Sequence, residues 1–265
     1  MTITSNDHAF VICAYKENPH IEETINSLKN QTVKSNIYLS TSTPNEYLKK
    51  ICKKYEIEML INPHPKNAGT DWNYGYDHVP ENFVTIAHQD DLYEPTFLEE
   101  TLKFIKDESD FIICFTDYNE LKLGKIEKSN LLLRIKRFMN WPLSKKCMQK
   151  NKFIRRRSLS IGCAICCPTV TFNKKKAGLS VFDTVYINSC DYKTWCDLAE
   201  LDGKFIYINK PLLTHRIYSE SATSKNLGNN IRQKEDLEIF SRYWPKPIAK
   251  FINKVYALSE KSNKI

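Results

Sequence analysis

Apolar and polar positions in the first ninety residues come in alternating blocks, with short apolar runs separated by stretches of helical spacing. Ala9–Ala14 is a continuous apolar run followed by the polar loop Tyr15-Lys16-Glu17-Asn18-Pro19, the pattern of a buried strand. Ile21, Thr24, Ile25 and Leu28 then recur every three or four residues, which predicts an amphipathic helix ending near Asn30-Gln31. Asn36–Ser40 predicts a second strand, and Tyr47, Leu48, Ile51, Cys52 and Tyr55 mark a second helix. Residues Ile57 to Ile61 predict a third strand, Pro63, Pro65 and Gly69 a loop, and Asp71 to His78 a short helix. Phe83–His88 predicts a fourth strand that runs directly into Gln89-Asp90-Asp91. Strands alternating with helices in this order predict an α/β fold with a mostly parallel sheet flanked by helices.

The second half is less regular. Strands are expected from Asp110 to Phe115, Thr169 to Phe172 and Lys204 to Ile208, and a helix from Tyr192 to Leu201. From Pro245 onward the chain reads as an amphipathic basic helix fading into a polar tail. The expected organisation is two halves of one domain, residues 1–118 and 119–224, with a helical C-terminal extension over 225–265.

Composition is that of a globular protein, with 42% hydrophobic and 26% charged residues in 265. No apolar run approaches the roughly 20 residues of a spanning helix, and the first ten residues lack the pattern of a signal peptide, so a cytoplasmic location is expected. Nine cysteines, an odd number, fall largely in apolar segments and read as reduced thiols. Cys163-Ala164-Ile165-Cys166-Cys167 resembles half of a metal knuckle, but no second pair at suitable spacing completes it, and core packing is the favoured reading. The net charge of +8 is concentrated: Arg134 to Arg157 contains ten Lys or Arg and no acid. One basic face, not a uniformly basic protein, is expected.

Ligands of open α/β sheets bind at the carboxyl ends of the strands, where the loops at Tyr15-Lys16, Ser40–Thr43 and His88–Asp91 should converge. None carries a glycine-rich phosphate loop, and the chain has only seven glycines. A phosphate ligand would then be neutralised by a divalent cation held on carboxylates. His88-Gln89-Asp90-Asp91 offers an oxygen-rich site of that kind; the alternative is a cap on the helix starting near Pro95. The position at a strand end favours the cation, Mn2+ or Mg2+.

Several segments together resemble family 2 glycosyltransferases of the GT-A, Rossmann-like fold. Val11-Ile12-Cys13-Ala14-Tyr15 with a helix ending Ser27–Thr32 looks like the family's opening, and Asn67-Ala68-Gly69 followed by Asn73-Tyr74-Gly75 like its segment before the fourth strand. Ile86–Pro95 resembles its metal-binding DXD region. Asn188–Trp195 resembles its Glu-Asp motif, and Pro211–Ser219 its closing segment near the diphosphate. The match extends in order from about residue 9 to about 224. It implies an inverting transfer of a hexosyl or N-acetylhexosaminyl group from a nucleotide-sugar, UDP-linked by expectation, to a hydroxyl of a glycan, glycolipid or glycoprotein, as in bacterial surface polysaccharide synthesis. The first half would bind the nucleotide-sugar and the second the acceptor.

Carried onto this chain, the resemblance makes Asp191 the catalytic base and Asp90, Asp91, His88 and His215 the metal ligands. Ala14, Tyr15, Glu17, Ser40, Ser42, Asn67, Asp71, Asn73, Gln89, Asp90 and Arg216 would bind the donor, Arg216 through paired hydrogen bonds to the diphosphate. Trp195 and Asp117 would meet the acceptor, although a core tryptophan and a turn-capping aspartate are equally compatible with the sequence. Three departures stand out: Ser40-Thr41-Ser42-Thr43 replaces the usual Asp-Asp-Gly-Ser, His88 replaces the first acid of the DXD, and Cys190 replaces the Glu before Asp191.

The basic residues of 134–157 are interspersed with Leu, Phe, Met and Trp, which suits peripheral contact with an anionic membrane at the inner face of the plasma membrane; a solvated basic loop is the alternative. His8, His20, His64 and His78 are expected on the surface. A non-catalytic protein, either a nucleic-acid-binding module or a degenerate transferase-like domain, is the rival class. A nucleic-acid binder leaves the gathering of carboxylates at the crevice unexplained, so no nucleic-acid partner is expected. A nucleotidyltransferase would need a triphosphate loop that Tyr15-Lys16-Glu17 does not supply.

Overall fold

The computed structural model describes residues 3–218 and 230–261. In chain order the elements are β1 (His8–Ala14), α1 (Ile21–Lys29), β2 (Asn36–Thr41), α2 (Glu46–Tyr55), β3 (Glu58–Ile61), α3 (Ala68–His78), β4 (Phe83–His88), β5 (Leu92–Tyr93) and α4 (Phe97–Ile105). There follow β6 (Phe111–Lys122), β7 (Lys125–Glu127), α5 (Leu131–Asn140), α6 (Lys152–Ser158), β8 (Val170–Asn173), α7 (Lys174–Ala177), α8 (Cys190–Leu198) and β9 (Lys204–Ile217), then α9 (Asn230–Ser241) and α10 (Lys246–Lys261).

The strands form one nine-stranded sheet in the order β3-β2-β1-β4-β8-β6-β9-β5, with β7 added to β6. The long registers, β1 with β2 and β4, β2 with β3, and β6 with β9, are parallel, while β8 is inserted antiparallel between β4 and β6. β1 is apolar at nearly every position because both its faces are covered. Ala9 and Val11 join a core with Tyr76 of α3, Trp195 of α8 and Phe240 of α9. Phe10 and Ile12 join a second core with Ile25 of α1, Leu48 of α2 and Phe97 of α4.

Several boundaries differ from the sequence expectation. α3 begins three residues earlier than Asp71: Asn67 Oδ1 accepts from Thr70 N at 3.1 Å, and the Thr70 hydroxyl accepts from Asn67 N at 3.1 Å, a reciprocal cap. Further along α3, Gly75 lies so close to the sheet that a Cβ there would fall 2.6 Å from Val11 Cγ1. β6 continues to Lys122 and β9 to Ile217, so most of the closing segment from Pro211 is strand. β6 also crosses the expected 118/119 division, and the two halves share one sheet. Ser219, the rest of the chain to 229, and 262–265 lie outside the described residues, so those parts of the expected second half and polar tail are not described.

His8 corrects an expectation. It is fully buried, with Nδ1 2.8 Å from Ser35 Oγ and Nε2 2.9 Å from Thr85 Oγ1, and burial pushes its pKa down to about 3. A polar residue at a strand start is tolerated inside because both ring nitrogens have partners. All nine cysteines are free thiols. Among the described residues no helix is long and apolar enough to cross a membrane.

Candidate active site

The carboxyl ends of β1, β2 and β4 meet as the parallel register requires, with Cys13 beside both Ser40 and His88. Side chains tie the three loops together. Gln89 clasps the backbone of Tyr15, accepting from its N–H at 3.1 Å and donating to its carbonyl at 3.3 Å. Lys16 adopts a positive φ of 58° and its N–H donates to Thr43 Oγ1 at 2.6 Å. Asp71 accepts from the Ser42 hydroxyl at 2.6 Å and from Asn62 Nδ2 at 2.8 Å, joining α3 to the ends of β2 and β3. The structure therefore gathers Tyr15, Ser42, Asp71 and Gln89 in one crevice, with Ala14 and Ser40 buried beneath it and Glu17 exposed in the β1 loop.

Two expected donor contacts are engaged elsewhere. Asn73 is buried, with its amide donating to the Phe182 carbonyl and accepting from the Phe182 N–H, both at 2.8 Å. Asn67 caps α3 and donates to the Thr184 carbonyl at 2.8 Å. Both side chains hold the 182–184 backbone against α3, so their role is positional.

The acidic pair lies just past β4. Asp91 is fully buried, and its Oδ1 accepts from His215 Nδ1 and from Arg216 N, each at 2.9 Å. The register of β5 with β9, Leu92 opposite Thr214, sets this meeting. Asp90 Oδ2 accepts from the Tyr218 hydroxyl at 2.8 Å. His88 stacks on Trp72, ring centroids 5.3 Å apart, with Nδ1 3.7 Å from Asp91 Oδ2. One ligand atom from each of His88, Asp90 and Asp91 lies within 4.8 Å of the others, the one such metal-capable group among the described residues. The cysteine knuckle forms none.

Electrostatics separates the two acids. Burial would raise Asp91, but the His215 charge and hydrogen bond, His88 and the Arg216 N–H together hold it below the usual carboxylate range. Burial and the neighbouring Asp91 charge raise Asp90. His215 is pushed up to about 9, the Asp91 carboxylate overcoming a burial effect of opposite sign. Asp91 Oδ2 and His88 Nε2 are buried without a hydrogen-bond partner. Buried polar atoms are normally satisfied, so these two, beside a crowded carboxylate, fit a divalent cation. His215 enters as the partner that grips Asp91.

Arg216 differs from its expectation. Its Nε donates to the Asp90 carbonyl at 3.0 Å and its Nη2 to Glu23 at 2.8 Å, so two donors of the guanidinium already brace the acidic loop and do not form a paired clamp on a diphosphate. Asp117 is held by Arg137 of α5, Nε to Oδ2 at 2.6 Å, and is buried on β6 opposite a bulge of β9. It fastens α5 and is not presented to an acceptor. Trp195 is fully buried, packed on Phe172 at 5.6 Å between centroids, and corrects the stacking expectation. It shares a helical side with Asp191, but one turn along α8 is about 6 Å deeper into the core.

Asp191 itself stands in the first turn of α8, its Oδ1 accepting from Tyr192 N at 2.7 Å. Burial raises its pKa, while the charges of Arg232, His88 and Lys136 pull against that. Cys166 has its thiol raised by burial and by the charges of both Asp91 and Asp191. Trp72, which the sequence offers with Asp71 as reaching the nucleotide or starting a helix, stacks on His88. Tyr218, Lys136 and Arg232 join the site without having been singled out as its members; residue type alone carries no signal for them.

Residues 9–177 match the family described as glycosyl transferase family 2. No curated protein matches the chain in sequence. Among solved structures, a mannosyltransferase, PcManGT from Pyrobaculum calidifontis in complex with GDP-Man and Mn2+, is 13% identical with a TM-score of 0.64, the match covering 98% of this chain and 76% of that one. S. aureus TarS 1-349 in complex with UDP-GlcNAc is 12% identical with a TM-score of 0.60, covering 97% of this chain and 73% of that one. Against S. aureus TarS in its longer form the match spans 42% of that chain. At these identities the likeness is one of fold.

Proposed function

The chain belongs to glycosyl transferase family 2 and is a glycosyltransferase; from that premise we propose that it moves a sugar from a nucleotide-sugar, with inversion and with a divalent cation, to a hydroxyl of a glycan, glycolipid or glycoprotein. The observation that carries the reading is the cation-ready cluster of His88, Asp90 and Asp91 just past β4, together with the half-buried Asp191 carboxylate at the start of α8, which interacts electrostatically with His88. The donors named for the two structural neighbours, GDP-Man and UDP-GlcNAc, support a nucleotide-sugar here. The Mn2+ named with one of them supports the cation.

His88, Asp90 and Asp91 would hold Mn2+ or Mg2+, which when bound supplies positive charge to the departing diphosphate. Tyr15, Ser42, Asp71 and Gln89 line the crevice in which nucleotide and ribose would lie. Asp191 accepts the proton of the acceptor hydroxyl while that oxygen attacks the anomeric carbon. The bond from that carbon to the phosphate oxygen breaks, and the nucleoside diphosphate leaves with the electron pair. A carboxylate raised by burial is a stronger base than one in water, which suits it to this transfer. His215 holds Asp91 in one orientation, and Arg216 and Tyr218 fix the backbone and carboxylate of Asp90. We place the reaction in the cytoplasm, with the basic stretch 134–157 supporting an acceptor presented at an anionic surface.

The test is nucleoside diphosphate release from a panel of nucleotide-sugars with Mn2+ or Mg2+. Cation-dependent release from at least one donor is expected. Absence of release with every donor, or full turnover by Asp191→Asn, overturns the reading.

A further inference from the structure

Two helices of the second half each turn one polar side chain inward. α5 turns Lys136 inward, its Nζ donating to the Tyr118 hydroxyl at 2.8 Å. α10 turns Tyr256 inward against Gly162, where a Cβ would fall 2.9 Å from the Tyr256 ring, and its hydroxyl lies 3.4 Å from Cys163 N. Lys136 feels Tyr256 and Cys163, and Cys163 feels Asp191. Tyr256 thus packs on the Gly162–Cys163 turn, and Lys136 interacts electrostatically with both Tyr256 and Asp191.

Their outer faces have an unusual composition. α5 exposes Leu131, Ile135 and Phe138, at spacings of four and three, and α10 exposes Ile248, Phe251, Val255 and Leu258, at spacings of three, four and three. Each set is one stripe of a helix. Phe138 is 78% exposed and Phe251 69%, whereas side chains of this kind are normally buried. Of the six exposed aromatic residues among those described, four (Phe138, Trp141, Phe153 and Phe251) lie on these helices or on the short α6 segment and turn between them.

The stripes are bordered by cations. Arg134 follows the α5 stripe and Lys250 and Lys254 flank that of α10, and none of the three has a carboxylate partner among the described residues. Lys145 lies over Trp141, and Arg157 over Phe153, at 5.4 Å from each ring centroid. Neither 134–157 nor 246–254 contains an acid. A second copy of this chain would bring like charges together, and a nucleic acid would leave the apolar stripes in water. Apolar and aromatic side chains framed by unpaired cations complement an anionic bilayer.

We infer that the outer faces of α5 and α10 together form a docking surface for an anionic lipid bilayer. The proposed function bears on it only in that an acceptor carried on a lipid would then meet the base directly.

Flotation of the full chain with vesicles tests this. With equimolar phosphatidylcholine and phosphatidylglycerol the protein floats; with phosphatidylcholine alone it does not. Lys250→Gln and Lys254→Gln each weaken partition about fivefold, and Phe138→Ser with Phe251→Ser abolishes it while leaving nucleoside diphosphate release in vesicle-free solution at the starting level. Equal flotation with both vesicles, flotation with neither, or variants that float like the parent overturn the inference. So does a concentration-dependent dimer in sedimentation that the same Phe variants dissociate, because the face then belongs to a second copy. Flotation that holds while no donor is ever turned over refutes the proposed function alone.

Discussion

Adjacent carboxylates are commonly treated as equivalent, yet Asp90 and Asp91 should respond in opposite ways to neutralisation. Asp91→Asn, at a fully buried position, removes the charge facing a half-buried, protonated His215 and weakens two hydrogen bonds of 2.9 Å. Breaking a buried pair by removing one partner costs about 3–5 kcal/mol, which is a large fraction of the ~5–15 kcal/mol that stabilises an ordinary domain. Asp90→Asn removes a carboxylate that burial and Asp91 already disfavour and keeps an oxygen for the Tyr218 hydroxyl, so stability in EDTA should be unchanged or slightly raised. Added Mn2+ should stabilise the parent protein by RT ln(1 + [Mn2+]/Kd), about 2.7 kcal/mol at one hundred times Kd, and both variants should lose most of that increment. Urea unfolding of the three proteins, in EDTA and in Mn2+, reads all of these quantities. If Asp90→Asn is destabilised in EDTA as much as Asp91→Asn, or keeps the full Mn2+ increment, the division of labour drawn from the hydrogen bonds is wrong.

Asp191→Asn should lower turnover by about 10²–10⁴-fold, the range for a general base, with donor affinity by calorimetry unchanged; a loss confined to donor binding would remove Asp191 from the proton transfer. His8 has a folded pKa of about 3 against 6.5 unfolded. Its depressed value means that the unfolded chain binds the extra proton first, so stability is full above pH 6.5 and falls as pH drops toward 3. At pH 5 the loss is about 2 kcal/mol, measured as a shift in urea midpoint that His8→Asn should lack; an equal shift in the variant refutes it. Trp195→Ala should cost about 3–5 kcal/mol by urea unfolding, as expected for a large core side chain. A fully stable variant with a raised KM for acceptor would return Trp195 to the acceptor surface.

The parallel first half was legible in the sequence because each element there carries its own period. Phe10 and Ile12 against Ala9 and Val11 report two covered faces, and Ile21, Thr24, Ile25 and Leu28 report one. The strand ends that carry His88-Gln89-Asp90-Asp91 follow from that order by the geometry of open sheets. β9 was shortened in the reading because Asn209, Lys210 and Pro211 interrupt its apolar run, and a bulge opposite Asp117 lets the strand continue past them. Trp195 illustrates a different gap: spacing reports direction around a helix but not depth along it. Tyr218 reaches Asp90 across 128 residues, a contact for which no local pattern exists.

The short pairing of β5 with β9 also bears on when the site comes into being. Asp91 and His215 are 124 residues apart in the chain, and closing so long a loop comes late, after local pairings have formed. During synthesis the crevice formed by β1, β2 and β4 can assemble while β9 is still being made. A nascent chain stopped short of residue 213 would possess the nucleotide-facing loops yet have Asp91 without its grip. On the proposed function, cation affinity should therefore be gained as one of the last steps of folding, and capture of Mn2+ should report completion of the sheet.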